Sequence, residues 1–281
     1  MSTDLRSALS YLGRDRSGLH LSSTTHADLV DLALYSRFKY GDGLASMIYG
    51  SAMADLVLPT LPLDVRVLVT SSGFGFIPPA AHSLVASFVG EMRQEVGGSV
   101  EEFRVLRSTV SNGDYASMSL HERQAAMSHH ALSVDPSANL EDAYVVALDD
   151  VRVTGVHEQA MDACLRAAGA KTVHHVYVVD AWEVRQDPGI EALLNASAIQ
   201  STDDLLTLAK APYFMPNARF CKRVISMSPA EMYRFLDQAP ASLVEWIGNA
   251  IDVDDLTQYN AYAAGCNVFQ SYRQKVTVAT S

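Results

Sequence analysis

The chain has 281 residues, 48% hydrophobic and 19% charged, with a formal net charge of −11. That size supports a large core, and an acidic chain with no basic run is a poor match for nucleic acid or an anionic membrane surface. No run of about 18 apolar residues occurs, so no membrane span is expected. Three widely spaced cysteines, Cys164, Cys221 and Cys266, and an N-terminus without a signal-peptide core predict a reducing, cytoplasmic setting.

In chain order, residues 1–62 read as helical. Ser22, Ser23 and Thr24 offer N-caps before a run that starts at His26. Leu44, Met47, Ile48, Ala52 and Leu56 recur along one side of a second helix over residues 43–58. Between them, residues 35–42 mix aromatic and basic side chains. The segment reads as a helix–helix connection with core aromatics and solvated cations; the alternative is a role at a ligand-binding mouth.

Residues 65–70 predict a strand, 71–79 a turn and 80–92 a helix. Gly73 and Gly75, between strand and helix, allow close backbone approach to a ligand. As a dinucleotide fingerprint the pair lacks its third glycine. Residues 101–106 read as a second strand ending at Arg107. Residues 108–139 carry no strong strand signal, and so long a loop within a compact domain is usually functional or disordered. Tyr115, His121, Arg123 and His130 are its polar candidates. His129 and His130 are adjacent, a poor spacing for one metal ion.

The strongest unit begins at Tyr144. A short apolar run reads as a buried strand, with Asp149 and Asp150 at its end. A turn over 151–155 leads into an amphipathic helix, marked by Ala160, Cys164, Leu165 and Ala168 and closed by Gly169. Residues 171–179 are a second apolar run, which completes a βαβ module. Ligands of open α/β sheets bind beyond the carboxyl ends of the strands, and a helix N-terminus attracts phosphate. Gly155 lets the backbone approach, and the Thr154 hydroxyl can donate to a phosphate oxygen. A ribose diol suits Asp149 and Asp150, and Mg²⁺ suits oxygen donors shared with phosphates. Residues 185–281 read as a further helical region, with a capping box at Ser228 and Glu231. Arg219, Lys222 and Arg223 form a basic cluster there, read as solvated.

The pattern from Val145 to Gly155 (apolar run, two acids, short turn, Thr-Gly) resembles the phosphoribosyl-pyrophosphate (PRPP) signature of type I phosphoribosyltransferases. It departs at Arg152, where that family usually has an aliphatic or small residue, and at His157, where a small hydroxyl residue is common. The segment from Arg37 to Asp42 is similar to phosphoribosyltransferase-like proteins encoded beside tellurium-resistance genes. The resemblance implies an α/β, parallel-sheet, Rossmann-like core over 63–184, with helical additions at 1–62 and 185–281.

It implies a 5′-phosphate site on Val151, Arg152, Val153, Thr154 and Gly155. Asp149 and Asp150 become the catalytic diol contacts and the Mg²⁺ ligands, mostly through water and substrate. Pyrophosphate is expected on Ser71, Ser72, Gly73, Phe74, Gly75 and Arg107, with Arg107 also offsetting developing charge. Tyr115, His121 and Arg123 fall in the place of a closing loop, and Asp180 and Trp182 in that of an acceptor pocket. The implied activity is transfer of ribose 5-phosphate from PRPP to a nitrogenous, base-like acceptor with release of pyrophosphate. The alternative is a non-catalytic PRPP- or nucleotide-binding regulatory protein. Homodimerisation is left open.

Overall fold

The computed structural model describes residues 4–16, 18–23, 29–62, 64–96, 99–108, 132–187 and 189–280, with side chains as far as 275. The strands β1 (Asp4–Asp15), β2 (Gly18–Ser22), β3 (Val67–Ser71), β4 (Val100–Glu102), β7 (Tyr144–Arg152) and β8 (Thr172–Asp180) form one sheet, ordered β2-β1-β8-β7-β3-β4. Every pairing in it is parallel except β1 with β2. Two short strands, β5 (Val105–Arg107) and β6 (Leu132–Val134), make a separate antiparallel pair.

The middle of the sheet reads as continuous apolar sequence because both of its faces are covered. Val146 and Leu148 of β7 pack with helices α2 (Gly43–Val57) and α3 (Val85–Glu95). The intervening Val145 and Ala147 pack on the other side with Met161 and Leu165 of α4 (Val156–Ala167). The period of two along the strand thus divides β7 between two cores.

The expectation of a helical segment over residues 1–62 needs correction. Residues 4–15 and 18–22 are strands, and β1 lies inside the sheet against β8. Leu5, Leu9 and Leu12 mimic a helical stripe, and β1 has no Val, Ile or Thr to signal a strand. Pairing on both edges decides the outcome instead, a tertiary override of local preference. The first helix, α1 (Leu32–Lys39), starts later than expected and is capped by Asp31, whose side chain accepts from the Leu34 amide. It takes in most of the segment read as a connection. The predicted strand over 101–106 is also divided: β4 ends at Glu102, and the chain resumes as β5 in the small sheet.

Residues 190–280 form α5 (Ile190–Asn195), α6 (Thr202–Ala209), α7 (Ala218–Ile225), α8 (Pro229–Gln238), α9 (Ala241–Val253) and α10 (Asn260–Thr280). Their own apolar core includes Phe220, Phe235, Ile247 and Phe269. This layer is tied to the loops at the sheet's carboxyl end. Asp254 accepts from the Phe76 and Ile77 amides at 2.9 and 3.1 Å, the Ala218 amide donates to Pro78 O at 2.8 Å, and Asn217 Nδ2 donates to Lys39 O at 3.2 Å. Where α10 crosses the end of α7, a Cβ at Gly265 would lie 1.6 Å from the Ile225 carbonyl oxygen. Gly265→Ala should therefore force the two helices apart and lower stability by about 1–3 kcal/mol, as overpacking does; chemical denaturation measures the loss.

Candidate active site

At the carboxyl ends of β3 and β7 the chain makes a cavity of about 440 Å³. Parallel pairing sets Ser71 opposite Leu148, so Ser72 and Asp149 emerge side by side. Ser72 Oγ donates to Asp149 Oδ1 at 2.9 Å, and the Asp150 amide donates to the same oxygen at 2.9 Å. His157 Nε2, from the first turn of α4, lies 3.1 Å from Ser72 Oγ and 3.8 Å from Asp149 Oδ2. Burial first, then the Asp150 carboxylate, push the Asp149 carboxyl up to about 8. Burial first, then the Arg107 cation, pull His157 down to about 4. The site therefore holds a reluctant carboxylate next to a neutral imidazole.

Asp150 is held differently. Lys39, the last residue of α1 and 4% exposed, donates to Asp150 Oδ2 at 2.6 Å. The same ammonium lies 3.8 Å from Glu191 Oε1, and Glu191 lies 3.7 Å from Arg219. Charges alternate from Asp150 through Lys39 and Glu191 to Arg219. The aromatics of residues 35–42 are core, as read: Tyr35 and Phe38 are fully buried. Lys39 is not solvated but paired in the cavity wall.

Of the expected phosphate turn, 151–155, Val151 and Arg152 still belong to β7, where they pair with β8, and all five residues line the cavity. Gly155 has φ +72° and caps α4, a left-handed conformation that suits glycine. The first-turn amides of α4 have no partner within the helix. Arg152, expected in the 5′-phosphate site, is tucked into a polar cluster. It is 3.0 Å from Glu158 and 3.2 Å from Asp180, and its guanidinium lies 4.2 Å from the centre of the Trp182 ring. Glu158 also accepts from Arg6 and Tyr177, both at 2.7 Å. Burial opposes its ionisation, but those bonds and the arginine charges prevail and lower its pKa.

Of the 71–75 loop, Ser72 and Gly73 line the cavity, as does Arg107. Phe74 bridges to Leu106: its amide donates to Val105 O, and the Arg107 amide donates to Phe74 O. This bridge carries Arg107 to the loop. Phe74 itself packs on His82 and under Arg104, and Gly75 faces Asp254. Ser71 Oγ lies 3.4 Å from His82 Nδ1. Asp180 and Trp182 are not among the cavity-lining residues. Asp180 holds Arg152 and caps the Trp182 amide, and both Arg152 and Arg185 lie over the indole. Tyr115, His121, Arg123 and His130 lie outside the described residues.

Sequence reasoning missed the opposite wall. The basic cluster read as solvated lines the cavity: Arg219, Lys222 and Arg223 form one face of α7, followed by Ser226 at its C-cap, while Phe220, Cys221, Val224 and Ile225 form its buried face. The signal was available as three cations at helical spacing, opposite a wholly apolar face, in an acidic chain.

A family model described as PRTase ComF-like matches residues 18–265. The chain belongs to that family, which bears out the resemblance to phosphoribosyltransferases drawn from Val145 to Gly155. Solved structures similar to it include a hypoxanthine-guanine phosphoribosyltransferase from Bacillus anthracis, at 11% identity over 52% of this chain and 75% of that one, with a TM-score of 0.37. A hypoxanthine phosphoribosyltransferase from Trypanosoma cruzi, complexed with the product IMP, matches at 13% identity over 53% and 70%, with a TM-score of 0.34. A purine phosphoribosyltransferase from Pyrococcus horikoshii matches at 14% identity over 47% and 80%, with a TM-score of 0.29. No curated protein matches the chain. Among the described residues, no helix is long and apolar enough to cross a membrane.

Proposed function

We propose that the chain is a phosphoribosyltransferase that takes PRPP in this cavity, passes ribose 5-phosphate to a base-like acceptor and releases pyrophosphate. The supporting observation is convergence: the acid pair, the 151–155 turn, Ser72, Gly73 and Arg107 line a single cavity although they come from separate parts of the chain. The α4 N-terminus and the Thr154 hydroxyl take the 5′-phosphate. Asp149 and Asp150 accept from the ribose hydroxyls, and Arg107 with the loop amides faces the leaving pyrophosphate, where charge develops. No covalent enzyme intermediate is needed.

Mg²⁺ keeps much of its water and needs only one or two carboxylates beside substrate phosphates. Asp149 and Asp150 fit that demand, and the raised Asp149 carboxyl marks a charge that its surroundings under-compensate. Bound there, the ion would offset charge on the pyrophosphate oxygens.

This fit predicts a proton count. At pH 7, PRPP with Mg²⁺ should displace a proton from Asp149, seen by calorimetry in buffers of different ionisation enthalpy and lost in Asp149→Asn. The unliganded protein gives a matching stability signature. Because the folded pKa is raised, this group's favourable contribution is complete below the unfolded value of about 4 and is lost as pH rises to about 8. His157 acts in the opposite sense, with a contribution lost as pH falls from about 6.5 to about 4. Asp149→Asn should therefore gain on wild type across the higher window, read from denaturation midpoints.

The ion pair between Lys39 and Asp150 favours a second reading, a PRPP or nucleotide sensor, because it occupies one diol contact. Pyrophosphate release from PRPP with Mg²⁺ and a panel of bases separates the two. Acceptor-dependent release is the expected result, and binding without release selects the sensor.

A further inference from the structure

We propose that Arg152 serves the phosphate turn as a counter-charge and not as a phosphate ligand: together with Arg6 it offsets Glu158, so that the α4 N-terminus and the Thr154 hydroxyl hold the 5′-phosphate unopposed. The proposal rests on the reading above and assigns a positioning role within that same site. Glu158 is the third residue of α4 and the acid of its first turn. It is 7% exposed and lines the cavity together with the 151–155 turn. A carboxylate at that place suits the helix dipole, but it competes for the positive end that a phosphate also needs. Uncovered, it would repel an incoming phosphate across a partly buried wall, where charges are weakly screened.

The carboxylate is covered on both oxygens. Arg6 Nε donates to Oε1 at 2.7 Å, Tyr177 OH donates to Oε2 at 2.7 Å, and Arg152 Nε lies 3.0 Å from Oε2. Arg152 Nη1 donates to Asp180 Oδ2 at 3.2 Å. Two of the three guanidinium nitrogens of Arg152 thus face carboxylates of the chain, and the group lies 4.2 Å from the centre of the Trp182 ring. The indole also backs the turn, since a Cβ on Gly155 would lie 3.4 Å from Trp182 Cζ3. Arg152 is therefore held by α4, by the end of β8 and by an aromatic plate. That geometry keeps its charge within the wall, where it answers Glu158 and Asp180.

The test titrates ribose 5-phosphate calorimetrically into the full chain, since that probe carries the 5′-phosphate without pyrophosphate or metal. Should only PRPP with Mg²⁺ bind, the same series is run with it. Arg152→Gln should weaken binding at least about tenfold, the effect of uncovering one charge at short range. Arg152→Gln/Glu158→Gln should restore it to within about threefold of wild type, and Glu158→Gln alone should bind at least as tightly as wild type. A double variant as weak as the single one overturns the proposal, because Arg152 then touches the phosphate itself. So does Arg152→Gln binding like wild type, because the Glu158 charge then does not reach the site. Melting scans establish which variants are folded. If Arg152→Gln is not, the double variant, in which Arg6 and Asp180 still carry opposite charges, decides against wild type: affinity kept supports the proposal, and affinity lost overturns it. If wild type binds neither ribose 5-phosphate nor PRPP with Mg²⁺, the phosphoribosyltransferase reading fails and the proposal with it; binding in wild type with loss in the double variant sinks the proposal alone.

Discussion

Asp150→Asn should lower PRPP-dependent turnover at least about tenfold while the protein stays folded, because on the proposed reading it weakens a contact to the ribose that strengthens as the sugar gains charge. The fold should survive because the change is isosteric and because Lys39, its partner at 2.6 Å, retains the amide oxygen and has Glu191 3.8 Å away. Circular dichroism and a melting curve check the fold; initial rates of pyrophosphate release check the chemistry. Unchanged kinetics in a folded variant would remove Asp150 from the diol site.

The second large effect is on stability. Lys39→Ala leaves Asp150 and Glu191 facing each other across a buried gap, and should cost roughly 3–5 kcal/mol, the usual penalty for removing one partner of a buried pair. Lys39→Met with Asp150→Asn should recover much of that, since the pair is then replaced rather than broken. Urea denaturation of the single and double variants measures both. A single variant as stable as wild type would show that the ion pair carries no structural weight. Placed together, the two predictions separate the roles proposed for one contact: Asp150 toward the substrate, and Lys39 as the group that holds Asp150 in place.

How much of this was legible depended on whether the signal was local. The strand–turn–helix unit around Asp149, Asp150 and Gly155 was readable because a parallel strand buried on both faces is a plain apolar run, and the acids and glycine that end it are contiguous in sequence. β1 was not readable: its leucines fit a helix, and only its neighbours in the sheet make it extended. The β5–β6 pair was hidden for the same reason, as Arg107 and Leu132 meet across a long separation. Within the site, the proximity of Ser72 to Asp149 followed from strand order, and Arg107 reached the 71–75 loop by a bridge no local pattern announces. Lys39 and the α7 cations were visible as residues but not as neighbours. Their place follows from helices that fold back over the sheet's end, and composition alone made solvation the simpler reading. Trp182 illustrates the converse: the resemblance put it in the place of an acceptor pocket, yet two guanidinium groups already lie on its ring.

Asp254 sits at the end of α9 and holds the Phe76 and Ile77 amides of the loop that begins at Ser71. A shortened gene product that ends before this residue would lose its grip on a segment nearly 180 positions away. Such a truncation would look in an assay like a lesion in the chemistry itself, even with every sheet residue intact.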